Sequence, residues 1–168
     1  MPSVLFVCTA NQFRSPIAAA CLLDAIHRRR PPGDWKVESA GTWATPGLPA
    51  AAAALQAAKP LELQGLESHV SRSVSQELLD DFDLILVMER GHLEGISSEF
   101  PSAVGRVMLL SEAADGAAFN IPDPFGPGGN AEQVVFKLQA LIQRGFQRIL
   151  ERAQAQHDSR HPIREGRD

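Results

Sequence analysis

A short apolar run, Val4-Leu5-Phe6-Val7, leads without a break into Cys8-Thr9-Ala10-Asn11-Gln12-Phe13-Arg14-Ser15-Pro16. Consecutive apolar residues, then polar residues and a proline, read as a buried strand, a tight loop and a helix start. Such a loop turns its backbone N–H groups inward beside a helix N-terminus, whose partial positive charge attracts anions. Cys8 at one lip can, as thiolate, attack phosphorus. Arg14 at the other can hold two oxygens with its planar fork, and Ser15 can donate a hydrogen bond to the sulfur. Asn11 is one of the few non-glycine residues that tolerates the left-handed backbone such a curl needs. Pro16 suits the first helical position, where no N–H is required. Together these residues predict a phosphate cradle with a nucleophile in its floor.

The rest of the chain alternates strand and helix patterns. Ser3–Val7 reads as the first strand, Pro16–Arg30 as a broadly apolar helix with a basic end, and Trp35–Ser39 as a second strand. A loop with glycine and proline runs to Pro49, and Ala50–Lys59 reads as a helix. Ser75–Asp80 has a serine cap, and Leu84–Met88 is the continuous apolar run of a buried parallel strand. A helix near Arg90–Ser97 precedes a fourth strand around Val104–Leu109. Val135, Leu138, Ile142, Phe146 and Ile149 keep helical spacing in a long final helix. The pattern predicts a single-domain α/β fold, a doubly wound four-stranded parallel sheet with helices on both faces. In such sheets ligands bind at the carboxyl ends of the strands, where the Cys8 loop falls. Residues 1–156 form the expected domain, and 157–168, almost devoid of apolar residues, read as a flexible C-terminal tail.

Composition narrows the function. A chain of 168 residues with 44% hydrophobic and 21% charged residues is ordinary for one globular domain. The net charge of −4 gives no electrostatic support for nucleic-acid binding. No apolar stretch is long enough to span a membrane or to form a signal-peptide core, which predicts a cytoplasmic protein. Cys8 and Cys21 are the only cysteines, too few for a disulfide framework. Cys21 falls among Ile17, Ala20, Leu22 and Ile26 and reads as a small core residue.

The cradle, together with Ser39-Ala40-Gly41-Thr42, His69-Val70-Ser71-Arg72, Asp83-Leu84-Ile85-Leu86-Val87-Met88 and Asp123-Pro124-Phe125, resembles the low-molecular-weight protein tyrosine phosphatase family, in the form of its bacterial members. On residue pattern alone, Asp123 lies in a surface turn of glycines and prolines. The resemblance makes it the general acid that protonates the leaving oxygen and then activates water against a phosphocysteine. It makes Cys8, Arg14 and Asp123 catalytic, and Thr9, Ala10, Asn11, Gln12, Phe13 and Ser15 the phosphate-binding loop. Ser39 and His69 become its supports, and Gln12, Trp43 and Phe125 the substrate slot, with Gln12 directed at the leaving group. His69 has no clustered partners in sequence to make a metal site, and neither metal nor cofactor is expected. The implied partner is a phosphotyrosine-containing protein, a tyrosine kinase among the candidates, met by a monomer.

The chain also departs from that family. Ala10 stands where most members carry glycine, which is compatible if its φ is negative. Phe13 replaces a second cysteine that can pair with the nucleophile, so peroxide inactivation is expected to be less reversible. There is no tyrosine at all, hence no counterpart of the tyrosines that follow Asp-Pro in some animal members. Three other activities fit parts of the pattern. A protein-arginine phosphatase shares the scaffold but has threonine at Gln12; a thiol-dependent arsenate reductase needs a resolving thiol; and a silent phosphate-binding module needs no Asp123.

Overall fold

In the computed structural model, which describes residues 1–162, the first apolar run is strand β1 (Ser3–Cys8), buried along its whole length. Helix α1 (Arg14–Arg29) returns the chain to β2 (Lys36–Gly41), parallel to β1 with Cys8 opposite Gly41. Helices α2 (Ala52–Ala58) and α3 (Gln76–Asp80) carry the chain across to the other edge of β1, where β3 (Leu84–Val87) pairs in parallel. Helix α4 (Arg90–Glu99) leads to β4 (Val107–Leu109), and α5 (Leu110–Asp115) and α6 (Ala131–Arg160) follow. The result is a four-stranded parallel sheet in the order β2-β1-β3-β4, a single-domain doubly wound fold.

Alternation along the strands makes two cores. Val4, Phe6, Cys8, Leu84, Leu86 and Met88 pack with Ile17, Leu138 and Ile142 of α1 and α6, whereas Leu5, Val7, Ile85 and Val87 pack with Leu79, Phe82 and Ile96 on the opposite face. Successive connections run to opposite sides of β1, so the strand order reverses there, and the crevice at the carboxyl ends of β1 and β3 is where such a fold takes a ligand. Close approach of α5 and α6 needs Gly145, where a Cβ would come 2.3 Å from the Cβ of Ala114.

Several local expectations are corrected. Pro16 is the third residue of α1 rather than the first, still within the turn whose N–H groups lack intrahelical partners. β4 starts at Val107 because Pro101–Arg106 forms a 3-10 helix. α5 has too few residues to show a period, and it ends at Gly116 with φ +76°. α6 continues past residue 156 to Arg160, where His157 and Arg160 bond the Asp83 carboxylate. The last part of the expected tail, 163–168, lies outside the described residues. Among the described residues no helix is long and apolar enough to cross a membrane.

Candidate active site

β1 delivers Cys8 to the crevice, and the chain then curls through residues 9–13 into α1. Asn11 is the pivot. Its backbone is left-handed, with φ +58°, and its buried side chain is fixed on every side. Nδ2 donates to Ser15 Oγ and Ser39 Oγ, each at 2.9 Å, while Oδ1 accepts from the Arg72 N–H at 3.0 Å. His69 Nε2 donates to the Asn11 carbonyl at 2.7 Å, which puts the ring proton on Nε2. Ala10 keeps a φ outside the left-handed region, so its methyl group needs no strained backbone there.

The loop's outer edge is tied to β2. The N–H groups of Thr42 and Trp43 donate to the carbonyls of Cys8 and Thr9 at 2.9 and 3.0 Å. Gly41 makes this approach possible, since a Cβ there would lie 2.3 Å from the Thr9 carbonyl oxygen. With its carbonyls directed outward, the loop has donors to offer: among the described residues, no acceptor meets the N–H groups of Thr9, Ala10, Asn11, Gln12 or Phe13. Asn11 and Phe13 are buried, where N–H groups are almost always paired, and this row of N–H groups at a helix N-terminus is an anion-binding arrangement.

Ser15 Oγ lies 3.0 Å from Cys8 Sγ and 3.2 Å from the Ala40 carbonyl. As Asn11 donates to this oxygen, the hydroxyl proton is free to turn to either the carbonyl or the sulfur. Arg14, buried at the start of α1, donates from Nη1 to Glu89 Oε1 at 2.5 Å and to the Ile121 carbonyl at 2.9 Å. Among the described residues Nε and Nη2 meet no acceptor, which leaves the side of the fork that suits two oxygens of one phosphoryl group.

Glu89 and His92, which sequence reasoning missed, stiffen this wall. They form a capping box at the start of α4. The Glu89 N–H donates to His92 Nδ1 at 3.2 Å, so Nε2 carries the proton and donates to Thr9 Oγ1 at 2.8 Å. Burial, then the nearby Arg14 charge, push the His92 pKa down to about 4 against the pull of Glu89, and the ring is neutral. The available signal was positional: Glu89 follows the carboxyl end of β3, beside that of β1 at the strand-order reversal. Arg72, within a quoted motif, was also missed; besides Asn11 it reaches the Ser39 carbonyl and pairs with Glu38.

Asp123 is exposed, and its loop is held at both shoulders. Ile121 accepts from Arg14 and donates to the Met88 carbonyl at 2.8 Å. The Phe125 N–H donates to Asp123 Oδ1 at 2.9 Å, and the Phe125 ring stands edge-on to Phe13 with centroids 5.5 Å apart. Trp43 and Phe125 are 86% and 64% exposed, so neither is a buried anchor. Gln12 differs from its expected direction: its side-chain Nε2 donates to the Pro49 carbonyl at 3.0 Å, and its backbone carbonyl accepts from the Ala51 N–H. Its amide thus braces the rim loop against the cradle instead of projecting free.

Residues 3–159 match the family described as low molecular weight phosphotyrosine protein phosphatase. The low molecular weight protein-tyrosine-phosphatase Wzb of Escherichia coli K12 is 35% identical over 136 residues, 81% of this chain and 86% of that one. A protein-arginine-phosphatase of Geobacillus stearothermophilus is 36% identical over 124 residues, 73% and 78% of the two chains. The solved structure of the YwlE arginine phosphatase from Geobacillus stearothermophilus has a TM-score of 0.76 at 31% identity, covering 96% of this chain and 97% of that chain.

Proposed function

The chain belongs to the low-molecular-weight phosphotyrosine protein phosphatase family, and from that premise we propose that it hydrolyses phosphotyrosine in proteins through a phosphocysteine at Cys8. The observation that carries this reading is the pairing of Cys8 Sγ with Ser15 Oγ at 3.0 Å beneath the unpaired N–H groups of residues 9–13. The Cys8 thiolate attacks phosphorus while the loop N–H groups and the free edge of Arg14 carry the three non-bridging oxygens. The S–P bond forms, the P–O bond to tyrosine breaks, and Asp123 gives its proton to the departing oxygen. The Asp123 carboxylate then takes a proton from water, whose oxygen attacks phosphorus and releases Cys8 as thiolate. Ser15 turns its hydroxyl from the Ala40 carbonyl to the sulfur at that moment.

Trp43 and Phe125, both exposed at the rim, suit a flat phenyl ring. The partner is a phosphotyrosine-bearing protein, a tyrosine kinase being one candidate, acted on by a monomer in the cytoplasm; both cysteines are free thiols, as a reducing compartment keeps them. Arginine phosphatase activity is the second reading, supported by the 36% identity to such an enzyme. Arsenate reduction is disfavoured, because burial and then the charge of Asp24 push the Cys21 pKa up to about 12 and the thiol is buried, which removes it as a resolving thiol.

Two experiments test the proposal. Asp123→Ala lowers kcat/KM on phenyl phosphate by about 10²–10³-fold and leaves vanadate inhibition in place; unchanged turnover removes Asp123 from the acid role. Assayed side by side, phosphotyrosine protein turns over faster than phosphoarginine protein, and the reverse preference selects the second reading.

A further inference from the structure

Asp123 is exposed, and among the described residues its side chain makes no hydrogen bond beyond the local one from the Phe125 N–H. A general acid must nevertheless stand within hydrogen-bond reach of one oxygen. The loop is held instead at its shoulders: besides the Ile121 N–H on the Met88 carbonyl, two consecutive residues of the cradle reach it. Arg14 binds the Ile121 carbonyl on one side of Asp123. Phe13 meets Phe125 on the other, edge to face at 89°.

Phe13 is 4% exposed and packs in the same core as Ile17 and Leu138, whereas Phe125 is 64% exposed. One ring is therefore anchored and the other is seated upon it. Phe125 in turn lends its backbone N–H to Oδ1 of Asp123, so its position sets the carboxyl's orientation. Phe13 itself faces the core and Phe125 while its backbone belongs to the anion loop.

We propose that Phe13 is a positioning residue for the acid step: its ring seats Phe125 and thereby aims Asp123 at the leaving-group oxygen above Cys8. This deepens the phosphatase reading and rests on it. It assigns the aromatic pair a role in leaving-group protonation rather than in phosphate binding. Loosening the pair slows substrates whose leaving group needs a proton more than those whose leaving group departs as an anion.

The test compares kcat/KM for phenyl phosphate, a poor leaving group, with that for 4-nitrophenyl phosphate, a good one of similar shape. Phe125→Ala, on an exposed ring, leaves the fold intact; Phe13→Leu keeps apolar bulk in the core while removing the ring edge. Each variant is expected to lower the phenyl value about 10-fold more than the nitrophenyl value. The double variant adds no further discrimination, Phe125→Trp restores the wild-type ratio, and phosphate inhibition is unchanged throughout. The proposal is overturned if Phe125→Ala lowers both substrates equally, as loss of a slot wall does. It is likewise overturned if Phe13→Leu lowers the unfolding midpoint without changing the ratio. A Cys8→Ser protein that still turns over either substrate would instead overturn the phosphatase reading.

Discussion

The two ends of the parallel sheet solve the same electrostatic problem in opposite ways. At the amino end the anion is built in. Asp83, buried at the start of β3, accepts from the Ser3 N–H and hydroxyl at 3.0 and 2.9 Å, from His157 Nδ1 at 3.0 Å and from Arg160 Nη1 at 2.8 Å. At the carboxyl end the Glu89 carboxylate takes only Nη1 of Arg14, and five loop N–H groups and the other edge of Arg14 meet no acceptor among the described residues. The saturated end closes the fold by tying α6 to β1 and β3, while the open end can accept a phosphoryl group. Preorganised donors around a small anion serve stability when the chain supplies the anion, and catalysis when the substrate does.

The Asp83 group also brings His157 and His161 within ligand distance of one another, their ligand-type atoms lying within 4.8 Å. The Arg160 guanidinium already on that carboxylate marks it as a charge hub rather than a cation site. Burial pushes the Asp83 carboxyl up, but the hydrogen bonds from Ser3 and His157 and the charges of His157 and Arg160 outweigh burial and hold it below the usual carboxylate range.

Substitutions at the two ends should separate activity from stability. The largest effect is expected from Cys8→Ser, which lowers hydrolysis of 4-nitrophenyl phosphate by about 10⁴-fold or more with little change in unfolding midpoint. Asp83→Ala is the counterpart: urea unfolding should show a loss of about 3–5 kcal/mol, because the positive groups that face Asp83 lose their anion. Active-site titration should show unchanged kcat/KM per folded molecule. A loss of turnover at each active centre comparable to that of Cys8→Ser would erase the distinction between the two ends.

Acid should weaken the two ends in order. His92 has a folded pKa near 4, below its ordinary value of 6.5. Its neutral form is thus the one the fold accommodates, and the stability it contributes is full above pH 6.5 and is lost as pH falls toward 4. The loss is at most about 3 kcal/mol. His92→Gln keeps a capping-box side chain without titrating, so its unfolding free energy should be flatter across that window. Asp83, with its folded pKa depressed, contributes fully above about pH 4 and loses that contribution as pH falls through its lower folded value. The slope below pH 4 should therefore persist in His92→Gln and diminish in Asp83→Asn. Equal slopes in wild type and His92→Gln between pH 6.5 and 4 would remove His92 from the acid response.

Sequence and tertiary structure contributed differently at each end. The cradle was legible because its chemistry is contiguous: Cys8, Asn11, Arg14 and Ser15 fall within eight positions, and local backbone preference places them around one centre. The remote Asp123 loop was marked out only through resemblance, since Asp-Pro followed by glycines is by itself a turn. Glu89, His92 and Arg72 were not legible as partners of the cradle. They lie far along the chain: Glu89 and His92 reach the cradle through the parallel pairing that sets the end of β3 beside that of β1, and Arg72 through the pairing of its segment with Gly41 at the end of β2.

The Asp83 hub shows the same limit. His157 and Arg160 read as part of a polar tail because sequence shows low apolar content and not the buried carboxylate waiting 77 residues away from Arg160. Sequence by itself determined the strand-loop-helix that gathers Cys8, Asn11, Arg14 and Ser15, because that depends on neighbours in the chain. Only the tertiary structure decided which groups hold Arg14, what Gln12 bonds, where α6 ends and how Phe13 meets Phe125. Each of these depends on a contact between distant segments, which the folded geometry creates and local preference does not encode.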